Sequence, residues 1–168
     1  MSATASDFWN FSLRIYAQPK IADVCLDLQD RFGADVNLVL FMLWAAARER
    51  RLDPVEIGEI AFFVENWRKH IITPLRLARR ALKAPPRGWP IEETESLRQR
   101  VKADELEAER LQQNAMSAFL AIDHAGRSDS SLAAAKSNLG NYASHLGAAF
   151  PEKHIKDLAN LVTVRLPS

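Results

Sequence analysis

The chain has 168 residues and a formal net charge of +1, with 48% hydrophobic and 26% charged residues. That length holds one domain with a real core and falls short of two, and the near-balance of charge excludes a global attraction to nucleic acid or to a membrane surface, so any electrostatic partner must be read by a local patch. A single cysteine, Cys25, excludes an internal disulfide and suits a reducing compartment.

Residues 1–5 read as a disordered lead, and the opening MSATASDFWNF has neither the basic nor the apolar region of a signal peptide. Ser6 or Asp7 is placed to cap a first helix, in which Phe8, Ile15 and either Phe11 or Ser12 recur at helical spacing and point aromatic bulk inward. Pro19 suits the first position of a second helix, where its missing N–H costs nothing. Ile21, Val24, Cys25, Leu28 and Phe32 form the buried face of that helix, Asp23, Asp27 and Asp30 lie outside it, and Gly33 supplies a left-handed end.

Asp35 is the expected N-cap of a central helix spanning 35–51. From Val36 to Ala47 every residue but Asn37 is apolar. A helix without a solvent face belongs inside a bundle, and the run is shorter than the roughly 20 residues that span a bilayer. Arg48, Arg50 and Arg51 close it, where positive charge suits the helix dipole. Asp53-Pro54-Val55-Glu56 then sets a cap, a first-turn proline and a capping-box glutamate in register. Ile57, Ile60, Val64, Trp67 and Ile71 mark the stripe that follows, and Pro74 predicts a kink or short break before the spacing resumes at Leu75, Ala78 and Leu82.

The stretch KAPPRGWPI, over 83–91, reads as an internal linker, with Trp89 expected to pin it to the body. A long acidic helix is expected over 92–124, with Leu97, Val101, Ala108, Leu111, Ala115, Phe119 and Ile122 on one side. Its middle, KADELEAER, has good helix formers but little apolar content. Gly126 stops it, residues 128–131 offer caps, and Leu132, Ala135, Leu139, Tyr142, Leu146 and Phe150 outline an amphipathic helix. After Pro151, Ile155, Leu158, Ala159 and Val162 form a last short stripe. No stretch alternates as a strand would. The fold class is all-α: one helical domain over 6–168, a bundle of about six to seven helices around the buried 35–51 helix.

The pattern Phe8-Trp9-x-Phe11-Ser12, Tyr16-Ala17-x-Pro19, Cys25-Leu26-x-Leu28-Gln29-Asp30, Gly33-x-Asp35-Val36-Asn37-Leu38, ending at Phe41 and Trp44, resembles a family of small proteobacterial proteins classed as a domain of unknown function. The likeness covers roughly the first half of the chain and extends weakly through Trp67-Arg68 and Pro74-Leu75-Arg76. It implies a soluble bacterial helical protein and supplies no activity, cofactor or catalytic residue.

Three groups of residues are candidate sites. Gln29, Asp30, Asp35 and Asn37 gather where two helices meet, and with Trp44 can line a polar pocket for a small ligand; capping accounts equally for Asp35 and Asn37. Asp23, Asp27 and Asp30 share a helix face as magnesium-binding carboxylates do, but the second cluster such a site needs is limited to Glu92, Glu93 and Glu95, and a solvated acidic face explains them too. The segment from Arg68 to Arg87 holds Arg68, Lys69, Arg76, Arg79, Arg80, Lys83 and Arg87 without one acidic residue. Arg76, Arg79 or Arg80, and Lys83 fall on one face at helical spacing, fit to bind phosphates or an acidic partner, or to be neutralised internally by the Glu-rich helix that follows.

No Gly-x-Ser-x-Gly, Walker loop, dinucleotide fingerprint, zinc His-Glu-x-x-His or paired Glu-x-x-His is present, and Cys25 lies on an apolar face. No catalytic residue, metal site or cofactor is assigned. The reading is a cytoplasmic, non-catalytic protein-interaction module that docks a protein partner electrostatically, with nucleic acid and membrane disfavoured. The alternative is a small-ligand-binding protein or enzyme with a pocket near Gln29, Asp30 and Asn37. Homo-oligomerisation through 92–124 is compatible with both.

Overall fold

The computed structural model describes residues 5–163, and they form an all-α protein. Its helices are α1 (Ala5–Tyr16), α2 (Ile21–Phe32), α3 (Val36–Ala47), α4 (Pro54–Trp67), α5 (Thr73–Ala81), α6 (Ile91–Phe119), α7 (Ser131–His145) and α8 (Glu152–Leu161). A π-helical turn, Arg68–Ile72, joins α4 to α5 without a break, and two short strands, β1 (Arg50–Arg51) and β2 (Arg127–Ser128), pair antiparallel. Residues 1–4 of the expected lead lie outside the description, and Ala5 opens α1 ahead of Ser6 and Asp7. No described helix is long and apolar enough to cross a membrane.

The chain divides into two compact units, one running up to Phe63 and from Gln113 onward, the other Val64–Gln112. The Pro-rich stretch 83–91 is no boundary; it lies inside the second unit.

In the first unit α3 is the core. Each residue from Asn37 to Ala46 is buried, and α1, α2 and α7 pack against the helix. Each large apolar side chain taken fully from water contributes about 1.5–3 kcal/mol, so α3 rewards enclosure on every side. Phe8, Phe11, Ser12 and Ile15 all turn inward from α1. Phe8 stacks on Trp44 at 4.9 Å between ring centroids and meets Phe41 edge-on at 5.4 Å. Asp35 caps α3 as expected, its Oδ1 accepting from the Asn37 N–H at 2.8 Å, while its own N–H donates to the Tyr142 hydroxyl at 2.8 Å. Asn37, the one polar side chain of the run, is satisfied in the core: its Oδ1 accepts from Gln113 Nε2 at 2.8 Å, and Gln113 Oε1 accepts from Ser12 Oγ at 2.9 Å.

Local signals set the ends of the helices. Gly33 is left-handed (φ 68°), and the N–H groups of Gly33 and Ala34 return to the Gln29 and Leu28 carbonyls. Asp53 Oδ1 accepts from Val55 and Glu56 N–H while Glu56 Oε2 accepts from the Asp53 N–H, each at 2.9 Å, so the capping box forms as read. Pro19 does not start α2; it lies in the turn before Lys20, which takes a left-handed conformation (φ 67°) at the N-cap. The central helix stops at Ala47 rather than 51, because Glu49 turns left-handed (φ 57°) and sends Arg50 and Arg51 into β1.

Around Pro74 the chain does not break, and the irregularity expected there is a π-helical turn. The Thr73 N–H reaches back five residues to the Arg68 carbonyl, a wider turn that relieves the clash a proline ring makes with the preceding turn. The extra residue shifts the phase of the helix, so Ile72 is buried where Ile71 was expected, and Ile71 is exposed. Within the second unit Trp67 Nε1 donates to the Ala108 carbonyl at 3.1 Å. The inward positions of α6 also differ from the apolar pattern: Leu97, Leu111 and Phe119 are exposed, whereas Thr94, Glu105, Gln112 and Gln113 are buried. Trp89 is 63% exposed and does not anchor its loop.

Two outcomes test this packing. Leu43→Ala, at a site with no exposed surface, should lower unfolding free energy by about 2–5 kcal/mol in urea titration. In the contact of α8 with α2, His154 Nε2 lies 2.8 Å from Asp27 Oδ2, and that hydrogen bond, with the Arg31 guanidinium, outweighs desolvation and holds the Asp27 carboxyl below its usual range. The ionised form is the one folding favours, so this contribution is complete above the ordinary aspartate pKa and is lost as pH falls through the lower folded value. Acidification should therefore reduce the thermal midpoint more in the wild type than in Asp27→Asn.

Candidate functional site

The residues of the expected polar pocket separate by depth. Asn37 and Trp44 are buried on α3, the first in the Gln113–Ser12 chain and the second in the aromatic stack. Gln29 and Asp30 lie on the outer side of α2, where Gln29 Nε2 donates to Asp30 Oδ1 at 3.4 Å. On the acidic face of α2, Asp27 is taken up by Arg31 and His154. Among the described residues no group of three or more His, Cys, Asp or Glu side chains is placed to hold a metal ion. Cys25 is buried, and burial pushes its thiol up to about 12, far from a reactive thiolate.

The basic segment is split by the structure. Arg76 and Arg79 turn toward α6. Arg76 Nε donates to Glu105 Oε1 at 2.9 Å and Arg76 Nη2 to Glu109 Oε1 at 2.7 Å, while Arg79 grips Glu105 Oε2. Burial raises the Glu105 carboxyl, but hydrogen bonds from Arg79 and Arg76 outweigh it and leave the group below the usual carboxylate range. Removing one member of such a buried cluster strands the other charges, so these arginines serve the unit that contains them. Arg80, Lys83 and Arg87 are exposed, and next to them Trp89 and Ile91 expose 63% and 78% of their surface. The internal partners, Glu105 and Glu109, lie on the Glu-rich helix that follows the segment, while Glu95 binds Arg98 one turn along that helix.

A second polar region, which the sequence did not single out, surrounds the reversal after α3. The strand register sets Arg50 opposite Ser128 and Arg51 opposite Arg127. Arg50 donates to the carbonyls of Ala125 (2.6 Å) and Gly126 (3.0 Å), and Glu56 Oε1 accepts from the Gly126 N–H at 2.7 Å. Asn138, fully buried, braces the turn: its Nδ2 donates to the Met42 and Arg50 carbonyls, and its Oδ1 accepts from the Leu52 N–H at 2.9 Å. Beside this frame lies a cleft of about 550 Å³ lined by Arg51, Asp53, Glu56, His124, Arg127 and Asn141, among others. The available signal was faint: Gly126 marked a stop, and a lone Asn inside an apolar helical stripe marks a bracket only when its partners are known.

Gly126 makes the close approach possible. It is left-handed (φ 57°), and a Cβ there would lie 2.2 Å from the Arg51 carbonyl oxygen. Gly126→Ala should lower stability by about 1–3 kcal/mol through backbone strain, measured as a lower urea midpoint, and should move the amide resonances of Arg51 and Leu52.

No curated protein and no solved structure matches the chain. A family model does, over residues 7–116, which takes in α1 to α5 and most of α6 and ends before β2 and α7. The chain therefore belongs to the family described as protein of unknown function DUF2390.

Proposed function

We propose that this protein is a non-catalytic interaction module of the bacterial cytoplasm, and that the exposed end of its basic segment docks an acidic segment of another protein. The observation that carries this reading is the company Arg80, Lys83 and Arg87 keep: exposed cations beside an exposed Trp89 and Ile91, in a stretch from Asn66 to Ile91 without a single carboxylate side chain. Arginine and large aromatic side chains are the residue types enriched where binding energy concentrates at protein interfaces. Arg76 and Arg79, held by Glu105 and Glu109, would shape the unit rather than touch the partner. The inert, buried Cys25 suits a reducing compartment. A ligand pocket built on Asn37 gains no support from its amide oxygen, which Gln113 already occupies.

Self-association along α6 is a secondary proposal, favoured by Leu97 and Leu111, both exposed and about four turns apart on the helix. Sedimentation at high concentration decides it, a monomer removing the idea.

The docking reading is tested with bait carrying Arg80→Glu, Lys83→Glu and Arg87→Glu together, leaving the internal arginines in place. Partners that wild type holds at low salt and releases at high salt should be lost from this bait while its circular dichroism is unchanged. Retention of the same partners, or binding insensitive to salt, sinks the proposal.

A further inference from the structure

The cleft beside the α3 reversal lies wholly within the first unit, and three of its lining side chains carry hydrogen-bond donors without a partner among the described residues. Its carboxylates are spent on the backbone. Glu56 accepts from the Gly126 and Asp53 N–H groups through its two oxygens, and Asp53 Oδ1 accepts from Val55 and Glu56. Arg51 is drawn toward Asp129 at 3.5 Å. The side chains of Arg127, His124 and Asn141 have no partner among the described residues. Arg127 has only donors to offer, and His124 and Asn141 each have an N–H to give as well.

We propose that this cleft binds a small organic oxyanion, a carboxylate or a phosphate ester, held by Arg127 with His124 and Asn141. An acceptor-rich anionic group has the lone pairs to take up these donors, and guanidinium forks recognise such groups through paired hydrogen bonds. The charge balance sets the size of that charge. The lining carries two cations, Arg51 and Arg127, against two carboxylates, Asp53 and Glu56, so it has no formal excess of positive charge and tolerates a singly charged group better than a highly charged one. A polyphosphate or nucleic-acid backbone is disfavoured. The volume of about 550 Å³ suits a small-metabolite body attached to the anionic end. This site is independent of the basic segment and of the docking reading.

The test is a titration of the full chain, followed in nitrogen-15 spectra, with lactate in one arm and dimethyl phosphate in the other, both singly charged. Saturable shifts at the Gly126 amide, the Asn141 side-chain amide and the Arg127 Nε–H are expected, with affinity reduced about tenfold or more in Arg127→Gln, as loss of a charge-assisted contact requires. Asn141→Ala gives a second, smaller loss should Arg127→Gln fold poorly. Lys83→Gln leaves the shifts unchanged, which separates this site from the basic segment. The arm that saturates identifies the oxyanion. Absence of saturable shifts with both probes overturns the site, as does binding that survives Arg127→Gln and Asn141→Ala undiminished.

Discussion

A helix with no polar face cannot end casually. Inside α3 the backbone bonds itself, but the N–H groups of its first turn and the carbonyls of its last must find partners where water is scarce. At the start Asp35 meets this need and is itself fixed by Tyr142 of α7. Near the other end Asn138, also from α7, takes the Met42 and Arg50 carbonyls and the Leu52 N–H. One helix thus holds the start of another and braces the turn beyond its end, through Asn138 and Tyr142, one turn apart on a shared face of α7. Between these points the single amide of Asn37 sets a further requirement, met by Gln113 and Ser12. An unsatisfied amide at that depth would cost more than the net worth of the hydrogen bonds that now hold it. That asymmetry makes the chain of three side chains a specification of which surfaces pack together.

What could be read from the residues alone follows from this. The apolar run of α3, the Asp35 cap and the Asp53–Glu56 box are local: each depends on neighbours within a turn, and periodicity or capping chemistry reveals them. Gln113, Asn138 and Glu105 are buried polar residues whose partners lie far along the chain, so hydropathy assigns them to the surface. The misreading of α6 has this cause. Its leucines at 97 and 111 and its phenylalanine at 119 suggested the inner face, and Ala108 is buried as expected, yet Thr94, Glu105, Gln112 and Gln113 share the buried positions with it and Met116. Phe119 is exposed and still finds Phe63, at 4.3 Å between ring centroids. The phase error at Ile71 has a different origin, since a π turn adds a residue that a fixed period of 3.6 cannot accommodate. The candidate residues divided in the same way: the cationic segment was visible as composition, whereas its division into Arg76 and Arg79 inside and Lys83 and Arg87 outside required knowing where Glu105 and Glu109 fall.

The π turn has a role in that division. A strict α-helix from Pro54 onward would continue the stripe of Ile57, Ile60 and Val64 to Ile71; the inserted residue instead carries the inward side to Ile72 and brings Arg76 and Arg79 to the carboxylates. Pro74, which has no N–H to bond, makes the wider turn inexpensive at this point. Lys83 and Arg87 are left exposed. A single backbone irregularity thereby sorts one run of like charges into a structural set and an exposed set.

The separation in sequence between α3 and the helix that secures it bears on how the protein is made. The Asp35 N–H and the Tyr142 hydroxyl are 107 residues apart. With synthesis at about 5–20 residues per second, the most apolar helix of the chain leaves the ribosome roughly 5–20 seconds before Tyr142 does. During that interval α1 and α2 can shield part of it, but the side reserved for α7 stays open. The nascent chain therefore presents a sticky groove for seconds at a time, and its yield in the cell depends on holdase chaperones and on the pace of translation as well as on the stability of the finished fold.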